Sequence, residues 1–293
     1  MKLKANYHTH TVFCDGADTP EDVVLAAIAK GFTHLGFSGH MDYFAHVDAP
    51  RYFAELRRLE EKYAGRIEIL HGLELDSIYK DPAQAEAEYT IGSTHYLDVP
   101  PVDGEYLSVD SSPENLKRLA DVYFGGDYYK LSRAYYELAA QAVERMHPTF
   151  IGHFDLVTRF NDLPAAQGGQ YIDEDDARYY MPALAAMEQL VRQGAVFEVN
   201  CGALNRGALN RGYKRHAYPC PRLLRALRGF GGEIVISSDA HRKELLDGGF
   251  DIALETVREC GFDHVNILTR RGDGADKRPA PRGLFWQTVP IRE

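Results

Sequence analysis

The chain has 293 residues, 45% of them hydrophobic and 26% charged, with a formal net charge of −10. The length suits one large core, near the roughly 250 residues of a closed α/β barrel, and the ordinary composition excludes a disordered chain or a disulfide scaffold. The acidic balance sets it against polyanions such as duplex DNA, and no apolar run reaches membrane-span length, so a small substrate is expected with neither nucleic acid nor membrane as partner.

Short apolar runs alternate with stretches at helical spacing, the pattern of βα units around a parallel sheet. A first strand is predicted over Asn6 to Thr11. Thr19-Pro20-Glu21-Asp22 then supplies an N-cap, a proline at the first helical position and an acid at the third, which predicts a helix to about Lys30 with Gly31 as its stop. Strands follow at Thr33 to Ser38, Ile67 to Leu75, Tyr89 to Thr94, Thr149 to Gly152, Ala195 to Asn200, Glu233 to Ser237 and His264 to Leu268. Helices are predicted at Pro50 to Ala64, Pro113 to Phe124, Tyr128 to Met146, Glu174 to Gln193, Pro219 to Arg228 and Asp247 to Cys260. Seven or eight strands with no break in composition predict one α/β barrel domain over residues 1–293. Cys14, Cys201, Cys220 and Cys260 form no C-x-x-C pair and read as free thiols. The chain opens on a strand-like MKLKANYHTHT rather than a signal-peptide pattern, so a cytoplasmic location is expected.

Histidines and acids gather where the strands end. His8 and His10 share one face of the first strand because side chains alternate along it, and Asp15 follows in the loop. His40, Glu74, His95, His153, Asp239 and His241 likewise fall at or just past the predicted C-terminal strand ends, where barrel active sites are assembled. A lone HxH is often only a half-buried pair. Nine such placements together point to metal, because buried histidines and acids without partners are costly. This nitrogen and oxygen set suits zinc, iron or manganese, and it exceeds the needs of one site, so two to three divalent ions are expected. His34, His46, His71, His147, His216 and His264 lack the placement or a partner, although His71 stands near enough to Glu74 to support the cluster. A thiolate ligand at Cys14 fits the remaining donors poorly.

The segments YHTHTVFCDG, FSGH, GLELD, IGSTHY, IGHFDLVTRF, FEVNCGALNRG and ISSDAH resemble, in order, those of the polymerase and histidinol phosphatase superfamily, and within it the histidinol-phosphate phosphatases. The resemblance implies a distorted (β/α)7 TIM-like barrel with a trinuclear centre. It implies a first metal on His8, His10, Glu74 and Asp239, a second sharing Glu74 with His95 and His153, and a third on Asp15, His40 and His241. Metals lower the pKa of bound water towards about 7, so metal-bound hydroxide would attack a phosphate monoester directly. Arg159, six residues after His153, is the expected phosphate clamp. A second cation is expected from the tandem GALNR, as Arg206 or Arg211, where the family carries one such unit and this chain two. Another phosphoesterase of the superfamily, acting on nucleotides or phosphotyrosine, and a metal-binding protein without turnover are the competing readings.

Overall fold

The computed structural model describes residues 3–208, 215–274 and 276–291, without side chains for residues 206–208. Seven parallel strands run in chain order: β1 Ala5–Asn6, β2 His34–Met41, β3 Glu68–Asp76, β4 Tyr89–Ser93, β5 Phe150–Ile151, β6 Val196–Asn200 and β7 Glu233–Ser237. The circle is drawn shut past the strand ends: His10 N donates to Ala240 O at 2.9 Å and Ala240 N to His8 O at 3.2 Å. The result is an α/β, TIM-like barrel. Nine helices among the described residues connect or flank the strands: α1 Pro20–Ala29, α2 Ala49–Lys62, α3 Pro113–Phe124, α4 Tyr128–Ala139, α5 Ala142–Met146, α6 Ala177–Arg192, α7 Gly202–Ala208, α8 Pro221–Gly229 and α9 Phe250–Glu259.

Local chemistry explains several boundaries. Thr19 caps α1 through Asp22 N, and Gly31 follows at a φ of 75°, the left-handed conformation that glycine adopts at no steric cost. The helix predicted over Tyr128 to Met146 is broken between α4 and α5. Gln141 Nε2 donates to Glu137 O at 2.9 Å, while the Gln141 backbone N–H turns to Leu138 O rather than continuing the helical ladder. The first strand is also shorter than expected. Beyond Asn6 the chain leaves the ladder, and Thr9 is held from both sides, by Ser38 Oγ at 2.9 Å and by an isolated parallel bridge to Ala240.

The eighth predicted strand is not part of the barrel. β8 His264–Thr269 pairs antiparallel over its whole length with β10 Phe285–Pro290, which also pairs with β9 Lys277–Pro279; β9 and β10 carry no signal in the sequence analysis. This small sheet closes the barrel end where the strands begin. Asn266 Nδ2 donates to Glu233 at 2.7 Å, Arg270 N to Glu68 at 2.7 Å, and Arg270 forms a fork onto Glu88 with both distances 2.6 Å. Trp286, 1% exposed, packs edge-on against Phe150. The Trp286→Ala variant should lose about 3–5 kcal/mol of stability, as large aromatic truncations do, read as a lower urea midpoint, while zinc binding per folded molecule stays unchanged.

Inside the barrel Tyr89 spans from β4 to the carbonyls of Tyr7 and Phe37, at 2.6 and 2.8 Å. A Cβ at Gly36 or Gly72 would lie 2.4 or 2.3 Å from its ring atoms or hydroxyl, so glycine there makes room for the ring. With one end sealed and the interior filled, the only end left for chemistry is the one where the strands finish.

Candidate metal centre

All nine histidines and acids singled out in the sequence converge at that end. His40 and Glu74 are register partners across β2 and β3. His95 and His153 follow β4 and β5 by two residues each, and Asp239 follows β7 by two. Asp239 is held at a φ of 49°, a conformation that costs a non-glycine residue energy and that clusters at functional sites. Asp15 is brought in by a tight loop in which a Cβ on Gly16 would sit 2.4 Å from the His10 carbonyl carbon.

Glu74, 1% exposed, is the hub. Its Oε1 faces His153 Nε2 at 2.8 Å and His95 Nε2 at 3.3 Å; its Oε2 faces His8 Nε2 and His40 Nδ1 at 3.1 Å each and His10 Nε2 at 3.5 Å. Asp239 Oδ1 stands 3.6 and 3.4 Å from His8 Nε2 and His10 Nε2. Asp15 faces His241 at 3.0 Å, His10 at 3.5 Å and His40 at 3.6 Å. The side chains are thus less cleanly partitioned than three separate ligand sets. His10 stands between the Asp239 and Asp15 groups, and His40 between Asp15 and Glu74.

These contacts test the fit of a metal. His8 Nε2, His10 Nε2, His40 Nδ1 and Glu74 Oε2 are all buried without a hydrogen-bond partner, a costly condition, yet they point at one another across 3.1–3.5 Å. Divalent cations between them would satisfy every one. The donor set of imidazole and carboxylate suits zinc and its neighbours.

Three further acids support the cluster and escaped the sequence reading. Glu198, fully buried on β6, meets His8 Nδ1 at 2.6 Å. Asp76 accepts from His95 N at 2.8 Å and faces His95 Nδ1 at 3.5 Å. Asp42 faces His40 Nδ1 at 3.2 Å. Asp42 and Asp76 each lie two residues beyond a candidate ligand, a spacing that could have exposed them; for Glu198 the only signal is an acid inside the apolar run VFEVN. His71 does not belong here: it lies with Glu60, at 3.0 Å, and Glu88 near the sealed end, because three residues along a strand is about 10 Å.

Before any cation binds, burial pushes His10 down to about 4, helped by the charges of His241 and His40. In His8, His40 and His95 burial also disfavours the charge, but the surrounding carboxylates win and raise them well above the usual range. A metal must displace those protons, so affinity should tighten steadily as pH rises from about 6 to about 8. Calorimetric zinc titrations across that window should show it; an invariant Kd would mean that the metal displaces no protons from these imidazoles.

A cavity of about 820 Å³ opens from the cluster. Arg159 lines it, mostly buried, its Nη1 donating to Asp110 Oδ2 at 2.7 Å. Asp110 had no place in the sequence reading. The side chain of Arg206 and the whole of Arg211 lie outside the described residues. The cavity wall also carries Glu105, Tyr106, Asp110 and Asn115, with Tyr43 stacked on Tyr106 at 3.8 Å.

Fold and cluster together define a barrel enzyme that works through divalent metals. The sequence profile described as the PHP domain matches residues 6–201, and the chain belongs to that family. It is similar to two proteins named "Probable histidinol-phosphatase". The one from Deinococcus radiodurans is 29% identical, with 90% of this chain and 96% of the relative covered, and the one from Schizosaccharomyces pombe is 26% identical, with 94% and 92% covered. The solved histidinol phosphate phosphatase of Lactococcus lactis, complexed with zinc, L-histidinol and phosphate, shares the fold at a TM-score of 0.64 and 21% identity, covering 91% of this chain and 97% of that one.

Proposed function

We propose that the protein hydrolyses L-histidinol phosphate to L-histidinol and phosphate, using two to three divalent ions of zinc, iron or manganese held by His8, His10, Asp15, His40, Glu74, His95, His153, Asp239 and His241. The relatives named for this activity support it, and one observation about this chain carries it. Among the described residues the cavity at the cluster is lined by one arginine, Arg159, together with the carboxylates and rings of Glu105, Asp110, Tyr43 and Tyr106. Such a site takes a phosphate at one end and a flat, basic organic group at the other. Glu105 would attract an ammonium or imidazolium, and the Tyr43 and Tyr106 rings would receive its planar face. A nucleotide, with more phosphate charge, would be repelled by the same wall.

Bound metals would supply water acidified towards neutrality and positive charge opposite the phosphoryl oxygens. The chain's own residues do the rest. Glu74 keeps the histidines on both its oxygens at a fixed separation, Arg159 receives phosphate oxygens, and the Tyr43 and Tyr106 rings flank the organic half. The whole chain, residues 1–293, would act as one cytoplasmic unit on this small substrate.

The test is phosphate release from histidinol phosphate, phosphotyrosine, nucleotides and sugar phosphates by zinc- or manganese-loaded protein. Histidinol phosphate should have the highest kcat/KM. A rival higher by about a hundredfold, some 2.7 kcal/mol of transition-state discrimination, would overturn the substrate and leave the phosphoesterase standing.

A further inference from the structure

We infer that Glu198 is the positioning residue that aims His8 and His153 at the two oxygens of Glu74. This rests on the metal-centre reading. An ionised carboxylate is an acceptor only, with about four lone-pair sites, and Glu198 meets four donors. His153 N and Asn200 Nδ2 donate to Oε2 at 2.8 and 2.9 Å; the Ser237 hydroxyl and His8 Nδ1 approach Oε1, the latter at 2.6 Å. With every site filled, Glu198 has no use for a proton of its own.

The consequence for His8 is geometric. Its Nδ1 carries the hydrogen that Glu198 accepts, which leaves Nε2, on the other side of the ring, as the nitrogen for a metal. That nitrogen faces Glu74 Oε2 at 3.1 Å and Asp239 Oδ1 at 3.6 Å, both acceptors. A metal that takes Nε2 would meet those two oxygens as further ligands, so the Glu198 hydrogen bond orients His8 for it. The second Glu198 oxygen fixes the His153 backbone, and the His153 ring then meets Glu74 Oε1 at 2.8 Å. One carboxylate therefore sets the positions on both sides of the hub. It touches none of Asp15, His40 and His241, which makes its expected effect selective.

The experiment compares wild-type protein with Glu198→Gln and Glu198→Asp. Gln puts an amide donor among donors, and Asp keeps the charge but withdraws it by one methylene. Zinc affinity, measured by competition against a chromophoric chelator, should fall about 10- to 100-fold in both variants for the ions near Glu74, with kcat falling and KM for histidinol phosphate changing by less than about twofold. Restoration by Asp would mean that charge alone matters and would overturn the positioning role, as would wild-type affinity in Glu198→Gln. Should neither variant fold, nitrogen-resolved NMR of metal-free wild-type protein decides: a deshielded, slowly exchanging proton on His8 Nδ1 is expected, and His8 protonated on Nε2 alone overturns the inference. Wild-type protein that takes up no zinc would instead sink the metal-centre reading itself.

Discussion

Glu74→Gln should abolish phosphatase activity, lowering kcat/KM by about 10³-fold or more, because it removes the one carboxylate that faces five histidines. A correctly placed metal is worth several kcal/mol of transition-state charge stabilisation, and about 4 kcal/mol corresponds to roughly 10³ in rate. The buried carboxylate is held in its ionised form, far below the usual range, against a burial cost that the charges of His8, His40 and His95 overcome. An amide of the same shape offers one weak neutral acceptor and places two hydrogens against nitrogens that would coordinate metal. Elemental analysis should find Glu74→Gln depleted of metal while circular dichroism stays native, and chelator should silence the wild type equally. Full activity in the variant, or in chelator, would remove metals from the mechanism.

Arg159→Ala is expected to cost about 2–4 kcal/mol in kcat/KM, the worth of a charge-assisted, forked contact to phosphate plus what its removal exposes. The structure adds a reason to expect the upper part of that range: Asp110, 2.7 Å from the guanidinium, would be left facing the incoming phosphate with its charge uncompensated by Arg159. Two consequences separate this from a general disturbance. Arg159→Lys should recover only part of the loss, since an ammonium cannot reproduce the fork, and Asp110→Asn placed on top of Arg159→Ala should recover part of it by lifting the repulsion. Metal content should match the wild type in all three. If Arg159→Ala kept kcat/KM within about twofold, the clamp would have to come from elsewhere, and the tandem GALNR is where to look. Arg206→Ala and Arg211→Ala should have unequal effects, because a phosphate held by metals and Arg159 has few oxygens left to share; no effect from either, singly or together, would return both to solvated loop charge.

The sequence by itself determined much of this protein: the α/β barrel, its strands from β2 to β7 within a few residues, and a set of nine histidines and acids at one end. Those features are local or periodic. Alternation marks a strand, Thr19 and Pro20 mark a helix start, and a ligand one or two residues past a strand can be counted from the strand. What the tertiary structure decided has no local signature. His264–Thr269 reads as a strand in either setting, and only pairing with Phe285–Pro290 assigns it to the sheet that seals the barrel. His71 and Glu74 are three residues apart in sequence yet serve opposite ends, because a strand carries each residue onward by more than 3 Å. Glu198 reaches His8 across 190 residues, and Asp110 reaches Arg159 across 49. An acid in an apolar strand names no partner until the barrel closes, because the hydrogen bond that stabilises its charge comes from a side chain far away in sequence.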